Sequence, residues 1–477
     1  MRLIPIYKWN KGLHTMKLSR KSFMNQPWAG GVTLLICVII AMLLANLPAT
    51  GHLYHEFLET SLSMSIKSPN GEIDWVFPQD MTVEKFINDI LMVIFFFTVG
   101  LEIKREIICG ELSSVKKAML PVIAAAGGMA APALFYTLFN QGTVTAGGWG
   151  IPTATDIAFA VGIMSILGNK VPVSLKIFLT ALAIADDLGA ILVVAIFYGG
   201  DINFALLGVA VLLLIFIFIM NKLGEKRMMY YLIPAIAVWF LFYYSGVHST
   251  MSGVVMAFMI PMDARFSRAY LNRSNQKYLT RLSKYDDDEF EKGVPFPNGP
   301  QRHCLRRMSY INNNSIGMSY RLEHALNPWV NFLIMPIFAL ANAGVVIPDV
   351  SFFNIFQSLN VPGIENVGFV GMGVFFGLVL GKPIGITLAS FLAIKCKIGA
   401  MPANASWKML FAVACLGGIG FTMSIFVDTL SFGELDAAAI DILRSSGKIA
   451  VLMGSLTAGV LGSLLISIFS KFENKKA

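Results

Sequence analysis

Long apolar runs alternate with short polar segments along the chain. Each run approaches the roughly 20 residues that an α-helix needs to cross the hydrocarbon core of a bilayer. The pattern therefore predicts an all-α polytopic membrane protein with about twelve transmembrane helices. These spans lie near residues 29–48, 84–108, 118–139, 147–166, 173–198, 203–221, 227–245, 247–261, 323–347, 366–395, 406–430 and 446–470.

Composition agrees with a membrane protein. Of the 477 residues, 56% are hydrophobic and only 14% are charged, and the mean hydropathy is +0.66. A soluble domain does not carry this much apolar surface. The cysteines are scattered without paired spacing, so they indicate neither a disulfide framework nor a zinc site. No cofactor is expected.

Basic residues in alternate loops predict the orientation of the helices. The segment 1–28 carries several lysines and arginines and no acid, and further basic residues lie around Lys104, after Lys222 and in the tail 471–477. Because basic loops stay on the cytoplasmic side, both termini are expected to be cytoplasmic. The net charge of +8 then needs no nucleic acid partner.

Two hydrophilic segments interrupt the spans. Residues 61–77, between the first two spans, alternate apolar and polar positions on either side of Asn70-Gly71. This pattern predicts an external β-hairpin, and because a lone hairpin is marginal in water, it is expected to pack on a second subunit or on its own helices. Residues 263–322 are rich in basic residues and predict a mobile cytoplasmic loop that contacts anionic membrane lipid.

These segments divide the chain into consecutive parts. They are the basic N-terminal segment 1–28, helices one to eight over 29–262, the loop 263–322, helices nine to twelve over 323–470 and the tail 471–477.

Four charged residues lie well inside predicted spans. They are Asp156, Asp186, Asp187 and Lys382. A charge at the centre of a bilayer costs several kcal/mol, roughly 3 on insertion scales, unless it is paired or hydrated. A structural ion pair accounts for one acid with one lysine but not for three acids, so the excess carboxylates indicate function.

The spacing of these charges predicts different partners for the two adjacent aspartates. Neighbours on a helix point about 100° apart, so Asp186 and Asp187 cannot face one partner equally. One is expected to pair with Lys382 while the other lines a hydrated site with Asp156. Carboxylates that lie close together away from water hold protons more strongly, and they also offer hard oxygens to Na⁺. A site that takes either protons or a cation is the minimum requirement for exchange.

Two spans carry signals of interruption. The fourth contains Pro152, Thr153 and Thr155 beside Asp156, and the eleventh contains the glycine-rich stretch Cys415–Phe426. Threonines satisfy backbone groups freed where a membrane helix breaks, and paired broken helices are typical of inverted-repeat transporters with a site at the midplane. Close helix packing would explain the glycines alone, but the two signals together favour interruption.

Several motifs resemble those of the NhaA sodium/proton antiporters of bacterial inner membranes, from about Met16 to the end of the chain. They are GLEIKRE (100–106), TATDIAFA (153–160), ALAIADDLGAI (181–191), SGVHSTMSGV (245–254), RLEHALNPW (321–329), ANAGV (341–345), GKPIGI (381–386) and GIGFTMSIF (418–426).

The resemblance implies a mechanism for the buried charges. Asp187 resembles the principal ion-binding carboxylate, Asp186 its neighbour that pairs with Lys382, and Thr155 and Asp156 the residues at the crossing of the broken helices. It implies electrogenic exchange of Na⁺ or Li⁺ for H⁺ driven by the proton gradient, for pH and sodium homeostasis. It also implies inverted repeats formed by spans three to five and ten to twelve, and a homodimer joined by the hairpin.

The resemblance further implies control by pH. The residues that match the family's pH response are Glu102, Arg105, Glu106, His248, Glu323 and His324. Asn327 stands where some members have histidine, and the loop 263–322 is longer than usual. Without the resemblance, Glu102 and Glu106 would be an ordinary helix end with both side chains on one face.

Two other classes of protein also use charges inside membranes. An intramembrane aspartyl protease needs facing aspartates, usually with a Gly-x-Gly-Asp motif, but the stretch Tyr198–Asp201 lacks the first glycine. A passive cation channel does not require a titrating pair of carboxylates. The sequence therefore favours a secondary transporter over an enzyme or a channel.

Overall fold

The apolar runs of the sequence form long helices in the computed structural model. It describes residues 26, 28–62, 64–67, 74–77, 81–200, 202–284, 299–347, 355–356, 366–432 and 437–474. Most of the predicted segment 1–28, the hairpin turn at 68–73 and the last three residues of the tail lie outside this set.

The helices and strands follow one another with short connections. They are α1 (Ala29–Asn46), α2 (Gly51–Glu59), β1 (Met64–Lys67), β2 (Asp74–Phe77), α3 (Val83–Cys109), α4 (Val115–Asn140), α5 (Ile157–Leu167), α6 (Val173–Phe197), α7 (Phe204–Lys222), α8 (Met229–Ser245), α9 (Thr250–Met259), α10 (Arg268–Leu282), α11 (Gly299–Asn314), α12 (Met318–Asn342), α13 (Val370–Lys395), α14 (Trp407–Gly417), α15 (Phe421–Leu430) and α16 (Ala437–Asn474). Short 3₁₀ segments lie at Glu111–Ser113, Val144–Thr153 and Gly168–Lys170, and α3, α12 and α13 each contain one π-helical turn.

Nine membrane-capable stretches are present in the described part of the chain, and the pair α14 and α15, bent by 47°, makes a tenth. The stretch Val144–Lys170 counts as one of the nine although it changes from 3₁₀ to α-helix at its centre. The seventh and eighth predicted spans correspond to α8, with 17 residues, and α9, with 10. These two are shorter than a full crossing requires, so the count of twelve stays a prediction.

The loop 263–322 is more regular than its composition predicts. Its described residues form α10 and α11, which pack against each other, and the mobility of the loop stays a prediction. Ser267 caps α10 by accepting a hydrogen bond from the amide of Tyr270, and Cys304 and Ile311 of α11 are buried. A narrow apolar stripe on two polar helices is sufficient for this contact.

The strands β1 and β2 lie within the stretch predicted as a hairpin. They pair antiparallel, with Met64 opposite Phe77 and Lys67 opposite Asp74. An isolated bridge joins Ser61 to Thr82 beyond the open end of this pair. The alternation of the sequence therefore predicted the pairing of these strands.

Helices α4 and α13 pack closely against each other at the centre of the fold. A Cβ atom placed on Gly385 would lie 2.2 Å from the carbonyl oxygen of Gly127 and 2.7 Å from Ala131 Cβ. Small residues let helix backbones approach closely in membranes. This approach holds α13, and with it Lys382, against the helices that carry the buried aspartates.

We expect Gly385→Ala to lower the thermal stability of the purified protein, by about 1–3 kcal/mol, because an overpacked contact forces the two backbones apart. Gly208 of α7 has nothing within 4 Å of an added Cβ, so Gly208→Ala is the matched control and should leave stability unchanged. Thermal unfolding in detergent measures both. Equal stability of the two variants would contradict the close α4–α13 contact.

Candidate functional site

The two interrupted helices meet at the centre of the protein. The chain leaves the 3₁₀ segment at Thr153 and is extended through Ala154 and Thr155 before α5 begins. The amide of Asp156 donates to the carbonyl oxygen of Ile419 at 2.7 Å, and the Thr155 hydroxyl donates to that of Gly417 at 2.9 Å. Each break therefore satisfies backbone groups that the other leaves free, as a non-helical segment inside a membrane requires.

Asp156 lies at the start of two helices at once. One carboxylate oxygen accepts from the amide of Phe159 at 3.2 Å and so caps α5. The other accepts from the Thr422 amide at 3.3 Å and from its hydroxyl at 2.5 Å, at the start of α15. Helix N-termini favour negative charge, so this carboxylate is held in place and its charge is compensated.

Asp186 faces Lys382. The lysine is fully enclosed, and its ammonium group donates to one oxygen of Asp186 and to the Thr155 hydroxyl. The second oxygen of Asp186 is buried and accepts no hydrogen bond from a described residue. Lys382 thus joins α13, α6 and the extended segment of the fourth span.

Asp187 points the other way. No described residue forms a hydrogen bond or an ion pair with its side chain, which is 6% exposed. It lines a cavity of 380 Å³ together with Asp156, Thr422 and Glu102. A cavity of this size holds water and a small ion, and oxygen atoms of carboxylates, hydroxyls and water suit Na⁺.

An apolar barrier closes the far side of Asp187. The gap there measures 20 Å³ and is lined by Phe96, Phe426 and Val427 among others. Asp187 is therefore reached from the side of Glu102 and separated from the opposite side. Among the described residues, no three His, Cys, Asp or Glu side chains form a cluster that would hold a metal ion, so an ion at Asp187 would use other oxygens as well.

The residues matched to the pH response do not all come together. Arg105 joins Glu323 by a short contact, Glu106 at 3.0 Å and Glu102 at 3.8 Å. Because Glu102 also lines the cavity, this cluster lies at its entrance. The ring of His324 instead stacks on Tyr320, with centroids 4.2 Å apart.

His248 lies apart from this cluster. Its ring is 6.2 Å from that of Phe426, beside the apolar barrier, and its Nδ1 is 3.5 Å from the Thr250 hydroxyl. The structure therefore associates His248 with the closed side of the site rather than with its entrance.

Sequence reasoning missed two buried charges. Lys104 donates to the carbonyl oxygens of Phe258 at 2.7 Å and Ile260 at 2.5 Å, at the end of α9. Asp428 of α15 is completely buried. Asp428 could have been found by the pattern that identified Asp156, a single acid inside an apolar run. Lys104 could not, because other charged residues surround it at the end of its helix.

These features define a class of protein. It is a polytopic α-helical membrane protein whose interrupted helices surround buried ionisable groups, an arrangement typical of secondary transporters. The sequence model of the Na⁺/H⁺ antiporter 1 family matches residues 21–466. The chain belongs to this family of Na⁺/H⁺ antiporters.

Individual relatives are similar over nearly their whole length. The Na⁺/H⁺ antiporter NhaA of Acidithiobacillus ferrooxidans is 41% identical over 93% of this chain and 96% of the relative. The Na⁺/H⁺ antiporter NhaA 2 of Flavobacterium johnsoniae is 40% identical over 95% of this chain and 93% of the relative. A structure of the sodium proton antiporter MjNhaP1 from Methanocaldococcus jannaschii covers 92% of this chain and 97% of that one, at 12% identity and a TM-score of 0.46.

We expect Lys382→Met to destabilise the protein by about 3–5 kcal/mol, because it leaves Asp186 buried without its cation. The double variant Lys382→Met/Asp186→Asn should regain part of this loss, since the uncompensated charge is gone. Lys395→Met, at the exposed end of the same helix, is the control. If thermal unfolding in detergent gives the same result for Lys382→Met and Lys395→Met, the buried ion pair is not made in the protein.

Proposed function

We propose that the protein exports Na⁺, and Li⁺, in exchange for H⁺ across the bacterial inner membrane, driven by the proton gradient. The observation that carries the proposal is Asp187, whose carboxylate lines a cavity without a partner among the described residues, in a chain of the Na⁺/H⁺ antiporter family. This exchange would serve pH and sodium homeostasis and salt tolerance.

Exchange follows from competition at Asp187. When its carboxylate is ionised, Na⁺ enters the cavity and binds it, with Asp156 and the Thr422 hydroxyl close by. When protons bind instead, the cation is released. The two states exclude each other because both need the same oxygen atoms.

Alternating access allows transport in one direction against a gradient. In this conformation the cavity reaches Asp187 from the side of Glu102, while Phe96, Phe426 and Val427 close the opposite side. Rearrangement of the half-helices around the crossing would close the entrance and open the apolar barrier. The ion site then faces one side of the membrane at a time, as transport against a gradient requires.

The orientation follows the positive-inside rule. With both termini cytoplasmic, the cavity and the Arg105 cluster face the cytoplasm, and β1 and β2 lie outside. The helix sequence α4 to α6 and that from α13 to α16 each place an interrupted element between two long helices. This similarity supports inverted repeats, and the two-stranded sheet, which has no third strand among the described residues, supports a homodimer in which the sheets of two subunits pair.

The charges of the site also support electrogenic exchange. The site holds Asp156 and the Asp186–Lys382 pair as well as Asp187, so carboxyl groups other than Asp187 are available to take up a second proton. We infer that more than one proton replaces each Na⁺ and that the cycle moves net charge.

We propose that the Arg105 cluster controls this exchange by pH. Glu323 is 1% exposed, and one of its oxygens receives no hydrogen bond from a described residue, while Arg105 bridges it to Glu102 at the cavity entrance. A change of protonation in the cluster would therefore change the entrance itself.

Asp187→Asn is expected to abolish Na⁺-dependent proton movement, because an amide neither binds nor releases a proton. Everted membrane vesicles with an acid lumen, a pH-sensitive dye and added NaCl measure the exchange. Wild-type protein should alkalinise the lumen at once, and Asp263→Asn, an exposed acid of the loop, should behave like wild type.

Two outcomes would contradict the proposal. Wild-type rates in Asp187→Asn, with equal amounts of folded protein in the membrane, would remove Asp187 from the mechanism. Entry of ²²Na⁺ through the wild-type protein without any coupled proton movement would indicate a passive channel.

Glu323→Gln should move the midpoint of the activity–pH curve to lower pH by about one unit, because one negative charge fewer opposes ionisation of Glu102. The initial exchange rate in everted vesicles between pH 6 and about pH 9 measures the midpoint. Glu225→Gln is the control. Glu225 does not line the cavity, and its carboxylate lies 3.9 Å from the guanidinium of Arg227. An unchanged midpoint would remove the cluster from pH control.

A further inference from the structure

A second carboxyl group lies deep in the protein without compensation. Asp428 of α15 is 0% exposed, and no described residue donates a hydrogen bond to either of its oxygens. Burying a carboxylate without hydrogen bonds costs far more than burying the neutral acid. This burial therefore favours the protonated form of the Asp428 carboxyl in this conformation.

The neighbouring helix leaves room for this side chain. A Cβ atom on Gly447 of α16 would lie 2.0 Å from one Asp428 oxygen and 2.9 Å from its carboxyl carbon. The carboxyl group thus occupies the space that any larger residue at 447 would fill. This fit places Asp428 directly against the backbone of α16.

Charged groups lie near Asp428 but do not pair with it. Those that interact with it electrostatically are Arg444 and Lys448 of α16, Tyr136 of α4 and Tyr198 after α6. Tyr136 and Tyr198 donate their hydroxyls to the carbonyl oxygens of Thr145 and Gly147, each at 2.8 Å. Glu84 of α3 and Asp441 of α16 interact with Lys448, and His248 lies beyond Phe426.

The position of Asp428 connects it to the apolar barrier. Phe426 and Val427, which close the far side of Asp187, immediately precede it on α15. Thr422, near the start of the same helix, contacts Asp156 at the crossing. Because Asp428 shares this ten-residue helix with the barrier residues, a movement of the helix that opens the barrier would also change the surroundings of Asp428.

We propose that Asp428 is a proton-binding group of the outer barrier, which carries a proton when the barrier is closed and ionises against Arg444 or Lys448 when it opens. This inference rests on the proposed exchange and adds a step to it. Because closing the barrier would bury an uncompensated carboxylate, the protein must take up a proton at Asp428 before it closes toward the outside.

The proposal makes turnover depend on pH at the outer face. In everted vesicles that face is the lumen, where Na⁺ is released and protons are taken up. As lumenal pH rises, Asp428 stays ionised, the barrier closes more slowly and exchange falls. Asp428→Asn, which is always neutral, removes this requirement, so its exchange should continue to a lumenal pH about one unit higher than that of wild type.

The experiment varies lumenal pH at a fixed external pH and records the initial rate of Na⁺-dependent alkalinisation. Glu59→Gln, at the exposed end of α2, is the control and should follow wild type. A shifted midpoint in Asp428→Asn alone supports the proposal. Equal midpoints in all three proteins overturn it, and if all three exchange Na⁺ for H⁺ at acid lumenal pH, the proposed function stands without it.

A second measurement tests the location of the carboxyl group independently of transport. Gly447→Ala should lower the unfolding temperature in detergent because its methyl group meets the Asp428 carboxyl, and Gly447→Ala/Asp428→Ala should restore it. If Gly447→Ala unfolds at the wild-type temperature, the carboxyl does not lie against Gly447 and the proposal fails.

Discussion

The centre of this protein depends on one constraint, which is that each of two broken helices must hydrogen-bond the backbone groups that the other leaves free. Inside a bilayer, water does not pair with backbone groups freed by a break, so the protein must do so. Here the fourth span donates to carbonyl oxygens of the eleventh, and the eleventh donates back to Asp156. The same bonds place Asp156 and the adjoining cavity between the two interruptions.

Helix geometry then gives adjacent aspartates different roles. Asp186 and Asp187 follow each other on α6, where neighbours diverge by about 100°. That divergence is sufficient for one to meet Lys382 and the other to face the cavity. One helical step thus separates a compensated carboxylate from one that is open to an ion.

The sequence predicted those elements whose cause is local. Apolar runs located the long helices, alternation located the strands, and acids in apolar surroundings indicated Asp156, Asp186 and Asp187. It did not reveal contacts between distant segments. The Gly127–Gly385 approach, the α10–α11 pair and the separation of His248 from Arg105 depend on packing between parts of the chain that are far apart in sequence.

The proposed electrogenic exchange requires more than one group to change protonation. Asp186 is balanced by Lys382, and Asp156 by two helix N-termini of about +0.5 charge each, so among these three carboxylates Asp187 is the uncompensated one. One Na⁺ or one proton neutralises it, which by itself would move no net charge. Binding of a second proton requires another carboxyl group, one whose negative charge is balanced in one conformation and not in another. The Asp186–Lys382 pair and Asp156 both meet this requirement, because the contacts that balance them join different segments, which would move relative to one another in the proposed cycle.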